Sequence, residues 1–321
     1  MPNSNQILSM IQSHLDQDDV RFREIALQIA ASEANTGHIV LARSITDMLQ
    51  SKKGPRVMRR AFNNSSLDMQ EYMIEIADSY LLSDLICPEV QKGKIERIIH
   101  EYVQRDSLSE YGLANRSKIL LTGKPGTGKT MTASVLANEL HLPLYVIRLE
   151  KIITKFMGET SLKLSKVFDT INQVRGVYLF DEFDAIGAKR VMENEVGEMR
   201  RVLNTFLQLL EQCDSGSIVV AATNNPQLLD EALFRRFDDI IEYAYPKAED
   251  IIALLKKTLH AFDLKYVDLN ELSSVMYGLS HAEIVKVCTD AMKEVVLYQK
   301  TLDTPLLMNC IQSKQSITSV G

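Results

Sequence analysis

Apolar residues recur three and four positions apart through the first fifty residues: Ile7, Met10, Ile11 and Leu15, then Phe22, Ile25, Ala26 and Ile29, then Ile39, Leu41, Ile45 and Leu49. That spacing puts each set on one stripe of a helix, and it predicts a three-helix unit over residues 1–52. Asp18-Asp19 and Thr36-Gly37 punctuate the helices. Lys52-Lys53-Gly54-Pro55 and the polar Asn63-Asn64-Ser65-Ser66 then read as a linker over 53–80. From 81 to 246 the rhythm changes. Short apolar runs at 118–122, 143–149, 176–180, 217–222 and 240–244 alternate with helical patterns. Strands apolar on both faces and separated by helices predict an α/β layer with a five-stranded parallel sheet. Beyond Pro246 the pattern is helical again, giving a helical unit over 247–303 and a terminal helix and tail over 304–321.

Composition narrows the class without changing this picture. Hydrophobic residues make up 45% and charged residues 24%, the balance of a folded globular chain rather than a disordered one. Apolar runs such as 218–222 fall far short of the ~20 residues that span a membrane. The opening Met1-Pro2-Asn3-Ser4-Asn5-Gln6 lacks the basic-then-apolar order of a secretory signal, so a cytoplasmic protein with no membrane partner is expected. The four cysteines, Cys87, Cys213, Cys288 and Cys310, show neither CxxC nor zinc spacing, which predicts free thiols. A net charge of −6 argues against a general nucleic-acid binder.

Candidate chemistry begins at Gly123-Lys124-Pro125-Gly126-Thr127-Gly128-Lys129-Thr130, between a predicted strand and a predicted helix. This is G-x-x-x-x-G-K-[ST], in which glycines let backbone N–H groups turn toward phosphate oxygens and the helix N-terminus adds its positive end. Lys129 would reach the outer phosphates of a bound nucleotide, and Thr130 would ligate Mg2+. The strand 177–180 ends in Asp181-Glu182. Asp181 is placed to hold the magnesium shell, and Glu182 to orient and deprotonate the attacking water. Asn224, at the end of the next apolar run, would stand beside the acids, where an amide can donate to phosphate and accept from water. Arg235-Arg236 could stabilise charge on the transferring phosphoryl group.

Together these blocks resemble the AAA family of ATPases, within the AAA+ class, over roughly residues 81–300. GKPGTGKT resembles the family's Walker A, LFDEFDAIG its Walker B, and AATNNPQLLDEALFRRFD the block from the sensor-1 Asn to the arginine fingers. The resemblance implies a doubly wound sheet followed by a small helical lid, with Asn224 as sensor 1. It also implies that Arg235 and Arg236 act across a subunit boundary, leaving open which is the main finger. Gly278-Leu279-Ser280-His281-Ala282-Glu283-Ile284 resembles the lid helix start that touches the adenine side, which places Ala282 against the nucleotide. Lys155-Phe156-Met157-Gly158-Glu159-Thr160 resembles the first pore loop, with Phe156 in the central channel of a ring. The chain departs from the family pattern at Lys124, where a second Pro is usual, at Asn225, where Arg is frequent, and at His281, where Gly is common.

The expected activity is ATP hydrolysis by a homo-oligomer, hexameric in the ATP state, that threads a polypeptide substrate past Phe156. With its short helical N-terminal domain over residues 1–52, the chain is similar to small bacterial single-ring members, some of which are encoded beside a subtilisin-like protease. No HExxH or other protease motif follows the lid, so any proteolysis would be the work of a partner protease. The alternative is a nucleotide-dependent assembly switch that gates such a partner. A DNA-associated loader touching phosphate through Lys189-Arg190 and Arg200-Arg201 is the third reading.

Overall fold

The computed structural model describes residues 25, 26, 29, 69–77, 80–154, 157–184, 196–214, 216–229 and 231–318. The chain divides into two compact units, residues 1–61 and 62–321. In the first, Ile25, Ala26 and Ile29 are helical and buried, and the rest of the predicted three-helix unit lies outside the described residues.

In the second unit, six strands form one sheet: β1 (Met73–Ile76), β2 (Lys118–Gly123), β3 (Leu144–Ile147), β4 (Val177–Phe180), β5 (Ile218–Thr223) and β6 (Asp239–Tyr243). Their spatial order is β1-β3-β4-β5-β2-β6, and every pair is parallel except β1 with β3. The five-stranded expectation is therefore corrected to six. The extra strand comes from the segment read as a linker and runs antiparallel along the edge of β3, with Met73 opposite Ile147 and Ile76 opposite Leu144. An antiparallel edge strand needs only one apolar face, so a four-residue stretch carrying Glu75 can join the sheet where a buried parallel strand could not.

Helices cover both faces. On one side lie α1 (Glu89–Val103) and α2 (Lys129–Glu139), and on the other α3 (Met157–Gln173) and α4 (Val196–Gln212). The two-residue alternation of the strands divides their side chains accordingly. Tyr178, Phe180, Val219 and Ala221 face α3 and α4, whereas Val177, Leu179, Ile218, Val220 and Ala222 face α1 and α2. Phe206 of α4 is the keystone of the first layer. It is fully buried and meets Phe168, Phe180 and Phe183 edge-on or tilted, with ring centroids 5.5, 5.2 and 4.7 Å away. Phe206→Ala is expected to cost about 3–5 kcal/mol of stability, because three rings lose a common neighbour. Urea unfolding at constant m-value measures this, and a loss under ~1 kcal/mol would mean that the rings close over the gap.

The last four helices, α5 (Ala248–Thr258), α6 (Leu269–Val275), α7 (His281–Tyr298) and α8 (Thr304–Thr318), bury a separate core. It includes Leu255, Leu272, Ile284, Val287 and Leu307. The terminal helix α8 packs into this lid through Leu307 and Ile311 rather than standing apart. None of the helices among the described residues is long and apolar enough to cross a membrane. Cys87, Cys213, Cys288 and Cys310 are free thiols.

Candidate active site at the carboxyl ends of β2, β4 and β5

β5 lies between β2 and β4, so the loops leaving the carboxyl ends of these three strands meet at one edge of the sheet. A cavity of ≈ 830 Å³ opens there, within the size range of small-molecule sites. It is lined by Pro125, Gly126, Thr127, Gly128, Lys129 and Thr130, by Asp181, Glu182 and Asn224, and by Ala282 and other residues of the lid. Residues scattered over more than 150 positions of sequence thus share one wall.

The phosphate loop takes its shape from backbone that L side chains resist. Gly123, Gly126 and Gly128 have φ of 145°, 72° and 107°. A Cβ on Gly123 would sit 2.3 Å from the carbonyl oxygen of Tyr243 in the neighbouring β6, so strand packing alone forbids one. Lys124, the exposed departure from the family pattern, contributes its carbonyl, which accepts from Thr127 Oγ1 at 2.7 Å. Gly128 caps α2 without a side-chain hydrogen bond, leaving the first-turn N–H groups to whatever anion enters. Lys129 is buried, and its Nζ donates to the carbonyls of Gly123 and Lys124, both at 2.8 Å. Burial lowers its pKa, and the charges of Asp181 and Asp184 oppose that shift.

Thr130 Oγ1 donates to Asp181 Oδ2 at 2.8 Å, across 51 residues of sequence. A hydroxyl and a carboxylate oxygen in contact at a phosphate loop form the hard-oxygen pair that suits Mg2+. Glu182 follows in the left-handed region, φ 50°, a conformation that carries strain for a non-glycine residue. Its neighbours hold it there. Glu182 N donates to Asp181 Oδ1 at 2.9 Å, while Phe183 N donates to Ala222 O at 2.8 Å and drives the Phe183 ring into the core. Glu182 is exposed and lines the cleft.

Asn224 lines the cavity beside these acids. Its neighbours are braced by Asp184, which accepts from Thr223 Oγ1 at 3.1 Å and from Asn225 Nδ2 at 3.3 Å. Sequence reasoning missed Asp184, although its position three residues after Asp181 was the available signal. Asn225, a departure from the family pattern, thereby joins the end of β5 to the acid loop.

The lid closes the far wall. Ala282 N donates to Gly126 O at 3.0 Å, and a Cβ on Gly126 would meet Ser280 Oγ at 2.8 Å. Ser280 caps α7 through Glu283 N and is itself held by the Glu283 carboxylate. The donors from the Ser280 backbone and hydroxyl, with Lys314, hold the Glu283 carboxyl below the usual range. Lys257 Nζ reaches back to Ser83 O at 2.7 Å and Asp84 Oδ1 at 2.8 Å. Tyr80, Leu85, Ile86, Leu254, Lys257 and His281 complete this end of the cavity, and of these only His281 stands out in the sequence.

Arg235 and Arg236 lie outside this cavity in their own chain, and both are exposed. Arg236 pairs with Glu211 of α4. Lys155, Phe156, Lys189 and Arg190 lie outside the described residues. Met157 and Gly158 open α3, and a Cβ on Gly158 would meet nothing within 4 Å.

Comparison with known proteins converges on this segment. Residues 119–245 match the family model described as ATPase family associated with various cellular activities (AAA). An "Uncharacterized AAA family ATPase" of Sinorhizobium fredii is 31% identical over 291 residues, covering 88% of this chain and 86% of that protein. A "Proteasome-activating nucleotidase" of Pyrococcus abyssi is 35% identical over 203 residues, covering 61% of this chain and 51% of that protein. A "Putative 26S proteasome regulatory subunit homolog" of Methanothermobacter thermautotrophicus is 34% identical over 202 residues, covering 62% of this chain and 53% of that protein. The chain thus spans about half the length of these two archaeal relatives.

Proposed function

Since this chain belongs to the AAA family of ATPases, we propose that it is a ring-forming protein remodeller, using ATP hydrolysis to pull on a polypeptide. The observation that carries the nucleotide half of this reading is the single cleft in which phosphate loop, Thr130–Asp181 pair, Glu182, Asn224 and lid Ala282 meet. Gly123 to Thr130 would cradle the triphosphate, with Lys129 exchanging its two loop carbonyls for outer phosphate oxygens. Thr130 and Asp181 would hold Mg2+, which when bound neutralises phosphate charge. Glu182 takes the proton of the attacking water, and Asn224 orients that water against the terminal phosphate. Arg235 or Arg236 completes the charge stabilisation in the site of a neighbouring copy. This accounts for their placement away from the cleft of their own chain.

The remodelling half draws its support from the relatives named for activating proteasomes or as a homologue of a proteasome regulatory subunit. We read the assembly as a cytoplasmic homo-hexamer in the ATP state working with a partner protease, a reading that the relatives named for activating proteasomes support. Phe156 would grip the threaded chain by apolar contact, flanked by Lys155, Met157 and Gly158. Phe156→Ala is expected to leave basal ATPase within about threefold while extraction of an engaged polypeptide falls tenfold or more, since truncating a packed aromatic anchor costs ~2–4 kcal/mol. Phe156→Tyr should restore most of the loss. Parental remodelling by the Ala variant would replace threading with an assembly switch that gates its partner.

A further inference from the structure

The cavity has two chemically distinct ends. One is the phosphate loop with its acids. The other lies between the core and the lid, where Leu85, Ile86, Leu254 and Val285 give it an apolar lining. Polar groups at that end are mostly engaged already. Lys257 is spent on Ser83 and Asp84, and His260 Nδ1 faces Lys257 O at 2.9 Å.

His281 is different. Both of its ring nitrogens are buried, and neither has a partner at hydrogen-bond distance and angle, yet the residue lines the cavity. A buried polar atom left without a partner is costly enough that one is expected to be supplied by a ligand. Burial is the largest influence on the ring and lowers its pKa, favouring the neutral form, while Asp250 and the Ile86 backbone act the other way. A neutral imidazole carries one N–H and one lone pair, so one of the two orphaned nitrogens can accept a hydrogen bond.

We infer that His281 reads the six-position of the purine, accepting a hydrogen bond from the exocyclic amine of adenine and disfavouring six-oxo purines. This rests on the nucleotide-site reading and adds the base-selecting group to it. Adenine carries an NH₂ donor at that position, whereas guanine and hypoxanthine carry a carbonyl whose lone pairs would oppose those of the ring. Sites built around one such hydrogen bond reject the analogue that cannot make it.

The test is displacement of a fluorescent ATP analogue by ATP, ITP and GTP from the full chain and three variants: His281→Ala, His281→Gln and Lys129→Ala. ITP keeps the sugar and triphosphate of ATP and differs at the edge in question. The parent should bind ATP about tenfold more tightly than ITP. His281→Ala should bring the two within about twofold, the change falling on ATP, and His281→Gln should recover part of the preference through its amide oxygen. Thermal unfolding without nucleotide checks that both His281 variants are folded. An Ala variant that keeps the parental ATP preference, or a parent that has none, overturns the assignment of His281. Lys129→Ala separates the two readings: it should weaken ATP and ITP alike, and unchanged affinity for both would reject the nucleotide site itself.

Discussion

Glu182→Gln is expected to bind ATP within about twofold of the parent and to hydrolyse it ~10²–10⁴ times more slowly, the range a general base contributes. The amide keeps the shape of the side chain, and the backbone bonds that hold residue 182 do not involve the carboxylate. Glu182 N donates to Asp181 Oδ1, and the next residue is anchored through Phe183 N to Ala222 O. The Thr130–Asp181 pair does not involve it either. Binding should therefore survive, and only the proton acceptor is lost. Equilibrium titration with a fluorescent nucleotide and single-turnover phosphate release measure the two quantities separately. Turnover within tenfold of the parent would remove Glu182 from the role of base.

Arg235→Ala is expected to lower turnover by ~10³-fold or more with ATP affinity nearly intact, since a finger supplied by a neighbour acts on the transition state. Arg236→Ala should do less. Arg236 is held to Glu211 of its own chain, whereas Arg235 is exposed and has no hydrogen bond or ion pair among the described residues. A guanidinium already engaged must break that pair before it can reach across to another subunit. Mixing Arg235→Ala with Lys129→Ala chains should recover activity, because each supplies what the other lacks. Confirmed mixed rings that recover nothing would contradict shared sites.

What was legible in the sequence was local chemistry set by short-range spacing. The phosphate loop declares itself in eight residues, and Asp181-Glu182 follows an unbroken apolar strand. The structure lines one cavity with Pro125 to Thr130, both acids, Asn224 and Ala282. β1 was not legible. Met73–Ile76 is four residues long with an acid inside, and what makes it a strand is the open edge of β3, some seventy residues downstream. The bracing of β5 by Asp184 was hidden for the same reason, because its partners Thr223 and Asn225 are 39 and 41 residues away. The unequal environments of Arg235 and Arg236 depend on Glu211, and adjacent identical residues give no hint of them. His281 stood out as an unusual residue, but its orphaned nitrogens are a property of the closed lid.

The contact between Gly126 and the start of α7 has a mechanical consequence. There is no room for even one added carbon between the loop and Ser280, and the Gly126 carbonyl is tied directly to Ala282 N. α7 is an 18-residue rod fixed at that joint, about 27 Å long at 1.5 Å per residue. A tilt of ~10° at the joint would swing its other end by about 5 Å, by the geometry of a lever of that length. That end carries Val296, Leu297 and Tyr298, all turned to solvent. A tilt at that joint would thus reappear, magnified, as the displacement of an apolar tip at the other end of the helix.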